Sequence, residues 1–321
     1  MTGQKSSSER PLEGKAVIVI GGAGGAGSGF AKYFARVGAQ VLVNDVGYGI
    51  LPGSGDYDLT KRSPFEAERV TDAIRREGGV AHADYEDASD PTEAKQIVEH
   101  CLDLFGRVDV VIHAANVSRL GMAESLSDSD WDEVIRQNLY PAFYLTRDTI
   151  PHMRRQGSGR HIYLGSATVR EMWGGVNYAA ASGGIYSLMR SIALEYGREN
   201  ITANSLEPWT QTKTGQRPSG KRMLEERTRV VGYHPKEHES LPPGEVNAPL
   251  GAYLCTEEGG YFNGQYFSTR YGRICIFSTP NELRYLYRDY GKEGNWTVDE
   301  LTRVLPAAFE GAIQPLWHPR V

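Results

Sequence analysis

Six glycines crowd into Gly21-Gly-Ala-Gly-Gly-Ala-Gly-Ser-Gly29, directly after the apolar run Ala16–Ile20 and directly before an Ala/Phe-rich segment. Glycine there lets the backbone turn tightly and approach a pyrophosphate, whose charge is favoured by the free N–H groups and dipole of a helix N-terminus. A glycine-rich loop alone is a weak signal. Its weight comes from Asn44-Asp45, about 20 residues further on, where a carboxylate can accept hydrogen bonds from both hydroxyls of an adenosine ribose. Strand, loop, helix and acid in this order point to dinucleotide binding.

The elements that must position these groups follow from the apolar pattern. Ala16–Ile20 is too short for a helix, β-branched and ended by glycines, as expected of a strand buried on both faces. The same kind of run recurs at Val41–Val43, Val108–Ile112 and His161–Leu164 with helical segments between, so a doubly wound α/β fold with a parallel, Rossmann-type sheet is expected. One helix is expected to start with Ser63 as N-cap, Pro64 at the first position and Glu66 closing a capping box, and to stop at Gly78-Gly79. Another runs from Asp90-Pro91 to Gly106. Residues 47–62 and 215–245 break the rhythm with turn-rich, polar sequence and are expected as substrate loops. Residues 1–11 read as a disordered lead-in, 12–270 as a single dinucleotide-binding domain, and 271–321 as a C-terminal extension with two helices, one after Pro280 and one opened by Thr297 with Glu300.

Composition bounds the function. With 321 residues, 40% hydrophobic and 23% charged, the chain can bury a sizeable core. The 37 glycines exceed the roughly 22 that average usage would give, and the dinucleotide loop with its flanking turns absorbs part of that surplus. A net charge of -5 supplies no broad basic face for phosphates, so a small molecule is expected as partner rather than nucleic acid. No stretch is long and apolar enough to span a membrane, and the polar N-terminus has no secretory signal. Cys101, Cys255 and Cys275 are odd in number, far apart and without a CxxC pair, which fits a reducing, cytoplasmic setting. No His/Cys/Asp spacing makes a metal site.

With the glycine loop and Asp45 in place, the chain resembles the short-chain dehydrogenase/reductase family over roughly residues 12–270. The family's threonine-glycine loop lies best on Ile20, Gly21, Gly25, Ala26 and Gly27, with Ile20 in place of the threonine and Gly38 following the first helix. Asp45, with Ser28 rather than a basic residue in the loop, leaves nothing to pair with a 2′-phosphate, so NAD(H) is expected rather than NADP(H). The resemblance implies that Asp87-Ala88 meets the adenine, and that the fourth strand, ending in His113-Ala-Ala-Asn116, brings Ala115 and Asn116 to the cofactor. His113 invites a catalytic role, but its place on a strand rather than on the substrate loops favours a structural one.

The same resemblance implies a catalytic set. Asn138 matches the asparagine that holds a relay water, Ser166 the serine that bonds the substrate oxygen, and Tyr178 the acid/base tyrosine. Four residues on, where the family has lysine, this chain has Ser182. On a helix that spacing puts both positions on one face, from which a lysine would reach the nicotinamide ribose and lower the phenol's pKa. Ser182 brings no charge, so about one phenol in a thousand is ionised at pH 7, which suits proton donation to a forming alkoxide better than alcohol oxidation. The positive charge of an oxidised nicotinamide offsets part of this deficit.

Three readings stay open. One is a working oxidoreductase biased toward ketone reduction or supplied with a cation by Lys213 or Arg170. The second is an NAD-binding enzyme performing a redox-neutral lyase, isomerase or cyclase step. The third is a catalytically silent NAD-binding partner. Downstream, Pro208-Trp209 replaces the family's Pro-Gly; with one glycine missing Thr212 meets the nicotinamide carboxamide, and without a gap Lys213 does. Trp209 either walls the pocket or packs within its loop. The insertion after Asp45 resembles that of hydroxyacyl-CoA dehydrogenase domains of β-oxidation multifunctional enzymes, which implies a secondary alcohol or ketone on an acyl thioester or another bulky scaffold. The aromatic tail, with Trp296, Phe309 and Trp317, is expected to cover the pocket or a neighbouring subunit. The family resemblance also implies a homodimer or homotetramer built through the helices bearing Asn138 and Tyr178.

Overall fold

The apolar run at the start forms β1 (Ala16–Ile20), with all five side chains buried. Parallel partners flank it on both sides: β2 (Gln40–Asn44) in register Ala16 to Gln40, and β6 (Val110–His113) in register Val17 to Val110. In the computed structural model, which describes residues 10–52, 55–166, 173–210, 217–231, 242–270, 273–278, 287, 292 and 296–309, the main sheet has the order β10-β9-β8-β7-β6-β1-β2-β5. Here β5 is Val80–Asp84, β7 Gly159–Leu164, β8 Ile201–Pro208, β9 Tyr266–Arg270 and β10 Arg273–Phe277. All pairings are parallel except the β9–β10 edge. A Rossmann-type sheet is thus what the alternating runs produce, and the order reverses between β1 and β6, where such sheets open a crevice at the strands' carboxyl ends.

Helices cover both faces. Phe30 and Phe34 of α1 (Gly25–Arg36) are buried with Val17, Val19, Val41 and Val43, while Ile97 and Cys101 of α3 (Pro91–Phe105) are buried with Ile18, Leu42 and Val111. Each such aliphatic side chain is worth about 2 kcal/mol on burial. The bounds of α3 follow its signals: Asp90 accepts from Thr92 and Glu93 N–H, and Gly106 closes it in the left-handed region. The strand ends of β1 and β6 opposite the crevice are tied by Asp109, buried, which accepts from Ala16 N at 3.0 Å and from Arg107 at 2.6 Å.

One local expectation needs correction. In α2 (Phe65–Arg76) the N-cap is Pro64, so Ser63 sits one place too early for a capping box. Its Oγ reaches only Phe65 N at 3.4 Å, and Glu66 pairs with Arg69 at 2.9 Å. Residues 47–62, expected as a substrate loop, fold back through a two-stranded hairpin, β3 (Gly49–Ile50) with β4 (Tyr57–Asp58), and bring Tyr48 and Tyr57 to the crevice lobe that holds Asp45. Within the 215–245 excursion, α6 spans Pro218–Val231.

The remaining helices are α4 (Asp128–Gln156), α5 (Val176–Tyr196), α7 (Ala248–Leu254) and α8 (Val298–Ala308). The chain divides into two compact units, Met1–Phe277 and Ser278–Val321. In the second, Thr297 and Glu300 form the reciprocal capping box that opens α8. The helix expected after Pro280, and Trp317, lie outside the described residues. Among the described residues no helix is long and apolar enough to cross a membrane.

Candidate active site

The glycine loop leaves β1 at Gly21, whose φ of +72° and 2.6 Å approach of an added Cβ to the Ala115 backbone exclude a side chain. A Cβ on Gly27 would lie 2.2 Å from the Gly21 carbonyl oxygen, so loop and helix close on each other without space between. Helix α1 starts at Gly25 with no side-chain cap and no acidic residue in its first turn, which leaves its positive end for an external anion. Asp45, at the end of β2, accepts from Ala23 N and Gly47 N at 2.9 Å each. Its carboxylate thereby fixes the loop while lining the crevice. Ala26 follows Gly25 in the first turn of α1.

This part of the crevice also takes in Asp87, Ala88, Ala115 and Asn116. Asp87 is more heavily engaged than its expected contact with adenine implies. Its Oδ1 accepts from Ser89 N, and its Oδ2 from Tyr48 Oη at 2.9 Å and Arg62 at 3.1 Å. Burial and the Asp87 carboxylate raise the Tyr48 phenol well above its ordinary pKa, keeping it a donor. Ile20, Ala115, Asn116 and Pro141 line both this lobe and a second one, so the two form one cleft.

The second lobe gathers Asn138, Ser166, Tyr178 and Ser182. Ser166 follows β7 by two residues, and Tyr178 lies in the first turn of α5. The Tyr178 hydroxyl is hydrogen-bonded to the Ser166 side chain; burial pushes the phenol up to about 12, and the Ser166 bond works against that rise. The sequence-based expectation of an unshifted phenol therefore understates how firmly the proton is held. Asn138 grips the Val117 backbone with both ends of its amide, accepting from N at 2.7 Å and donating to O at 3.0 Å. Pro141, three residues on in α4, lacks the N–H that would bond the Gln137 carbonyl, so one helical hydrogen bond is missing beside Asn138 at the cleft wall.

Several positioning residues escape sequence reasoning. Asn177 is fully buried, donates to the Arg119 and Asp130 carbonyls and accepts from Tyr178 N at 2.8 Å, which fixes the first turn of α5. Tyr266 of β9 donates to the Ser166 carbonyl at 2.9 Å and meets buried Glu207 at 2.9 Å. Glu207 also accepts from Trp209 Nε1 at 2.8 Å. That bond, with Trp209 N on the Thr269 carbonyl, holds the indole to the β8–β9 edge, and Trp209 is not among the residues lining either lobe. His113 contacts His161 at 3.2 Å and stacks on Tyr163 with centroids 4.3 Å apart. Burial drives both imidazoles below their ordinary pKa, His161 to about 3, so they sit as a neutral stack. This favours the structural role over the catalytic one for His113. Thr212, Lys213 and Arg170 lie outside the described residues. Among the described residues no cluster of three His, Cys, Asp or Glu could hold a metal.

A cleft at the β1/β6 switch point, with a glycine loop at one end and a serine–tyrosine pair at the other, has relatives. Residues 56–221 match the short chain dehydrogenase family. A short-chain type dehydrogenase/reductase of Mycobacterium tuberculosis is 34% identical over 77% of this chain and 79% of its own length. The chain belongs to the short-chain dehydrogenase/reductase family. It is also 36% identical, over 78% of its length, to peroxisomal multifunctional enzyme type 2 of the mouse, of which the match spans 31%. The solved structure of a short chain dehydrogenase from Mycobacterium avium superposes with a TM-score of 0.76 at 27% identity, covering 95% of this chain and 98% of that one.

Proposed function

We propose that the protein is an NAD(H)-dependent oxidoreductase that interconverts a ketone and a secondary alcohol, with reduction the favoured direction. The observation that carries this is the hydroxyl pair of Tyr178 and Ser166 in a lobe continuous with the glycine loop. The loop residues fit a dinucleotide: Gly21, Gly25, Ala26 and Gly27 would take its pyrophosphate, Asp45 its adenosine ribose, and Asp87, Ala88, Ala115, Asn116, Ser182 and Thr212 further contacts. When bound, the nicotinamide supplies or receives hydride. Asp45, already negative at that end, disfavours a 2′-phosphate and supports NAD(H) over NADP(H).

The chain's own groups do the rest. Ser166 holds the substrate oxygen, and Tyr178 donates its proton to the alkoxide that forms. With its pKa pushed up to about 12, the phenol is protonated in all but about one molecule in 10⁵ at neutral pH, a good acid reservoir and a poor base. Asn138, fixed on Val117, stands at the wall from which a relay water would return the proton.

Likeness to a peroxisomal multifunctional enzyme, together with the insertion after Asp45, supports a bulky or acyl-thioester substrate. The three cysteines, odd in number and far apart in the sequence, support a reducing compartment such as the cytoplasm. Exposed Trp131, Tyr140 and Phe143 on α4 support a homodimer or homotetramer through α4 and α5. The test is NADH oxidation on addition of a 3-oxoacyl thioester, with the product identified by mass spectrometry. Formation of the 3-hydroxy product supports the reading. Retained NAD with product formed and no net redox change would replace it with a redox-neutral reaction.

A further inference from the structure

Arg217, the residue before α6, is 5% exposed, and among the described residues no hydrogen-bond acceptor meets its Nε, Nη1 or Nη2. A guanidinium stays charged at any working pH and carries five N–H donors in one plane, so burying it without an acceptor is costly. One contact uses its face: its Cζ lies 3.8 Å from the centroid of the Tyr57 ring, and its charge works against the burial that raises the Tyr57 phenol. Stacking on a ring face engages the π system and leaves N–H donors in the guanidinium plane for another acceptor.

The surroundings hold the group in place. Gly55, in the turn between β3 and β4, has φ +74°, and a Cβ there would meet Pro218 Cδ at 2.9 Å and Arg217 Cβ at 3.5 Å. The hairpin insertion is therefore shaped to let the start of α6 come close. Tyr57, in turn, lines the cleft lobe with Asp45, Tyr48 and Val117. Among the described residues no carboxylate forms an ion pair with Arg217, although the nearby lobe is lined by Asp45 and Asp87.

We propose that Arg217 is an anion-binding residue of the cleft, whose N–H fork takes a phosphate or carboxylate of a molecule bound against Tyr57. Phosphates of the dinucleotide and phosphates on a coenzyme A-linked substrate are the two sources of that chemistry. The inference rests on reading the cleft as a site for NAD(H) and a thioester substrate.

Binding of NADH, followed by its fluorescence, and of coenzyme A, followed by calorimetry, is measured for the wild type, Arg217→Met and Arg217→Lys. At least one probe should bind the wild type and lose tenfold or more with Arg217→Met, and Arg217→Lys, which keeps the charge but not the fork, should fall between. Loss of NADH affinity assigns the dinucleotide's phosphates, and loss of coenzyme A affinity assigns the substrate's. The melting temperature of unliganded Arg217→Met should not fall below that of the wild type, because the charge removed was uncompensated. Unchanged affinity for both probes, or a wild type that binds neither, overturns the proposal. A wild type that binds coenzyme A through Arg217 but not NADH upholds it while refuting the proposed redox function.

Discussion

Placing a lysine at position 182 tests how the phenol is tuned. Tyr178 and Ser182 stand four residues apart on α5 and line the same lobe, so their Cβ atoms are neighbours at about 6 Å. A positive charge at about 6 Å in a medium of effective dielectric about 20 favours the tyrosinate by about 3 kcal/mol, or about a hundredfold in its fraction at a given pH. In the wild type the phenol, held up at about 12 by burial, ionises too little to serve as a base. Alcohol oxidation should then rise about tenfold per pH unit from pH 7 to pH 10, while ketone reduction stays flat across that range. Ser182→Lys should bring the bend of both profiles down by about two pH units, so that near pH 10 oxidation levels off and reduction begins to fall, whereas the wild type shows neither in that range. The assay is steady-state kcat/KM for both directions from pH 6 to 10.5, with NADH affinity measured alongside. A wild-type oxidation profile that levels off below pH 8 would refute the reasoning, since it requires a cation already beside the phenol. So would a Ser182→Lys profile superimposable on the wild type.

Other perturbations bear on the same account. Asp45→Ser removes the carboxylate that fixes Ala23 and Gly47, and should shift the NADPH-to-NADH affinity ratio by tenfold or more toward NADPH, measured by fluorescence titration. Gly27→Ala drives a methyl against the Gly21 carbonyl and should abolish NADH binding in the same titration. Asp109→Ala should cost about 2 kcal/mol in urea unfolding at pH 7, as Ala16 N and Arg107 lose their acceptor. Arg107, Ala16 N and Lys15 hold the Asp109 carboxyl below its ordinary range against the pull of burial. Its contribution is therefore present above the unfolded carboxylate's pKa and lost as pH falls through the folded value. The His113–His161 stack behaves differently: both stay neutral when folded, so stability should fall below about pH 6.5 by about 1.4 kcal/mol per pH unit per histidine, and His161→Phe should remove one proton's worth of that slope.

Much of the scaffold was legible because its signals are local. The apolar runs at Ala16–Ile20 and Val41–Val43, the Asp90-Pro91 start and the glycine loop each specify an element within a few residues, and each appears. Ser63 misled because a proline can occupy the N-cap as well as the first turn, and one position decides whether the hydroxyl reaches its donor. The hairpin in residues 47–62 was missed because its strands are two residues each, below any periodicity. Asn177, Glu207 and Tyr266 act through partners 40 to 100 residues away, and only the sheet order brings those together. Arg217 could have been flagged only as one of many charges, since its isolation is a property of burial.

The most direct test of the central claim is Tyr178→Phe, assayed for NADH binding and for reduction of a 3-oxoacyl thioester on the same preparation. The account predicts NADH affinity within a few-fold of the wild type and kcat lower by about 10² or more, the usual worth of a positioned acid. Turnover unchanged with the phenol gone would contradict it.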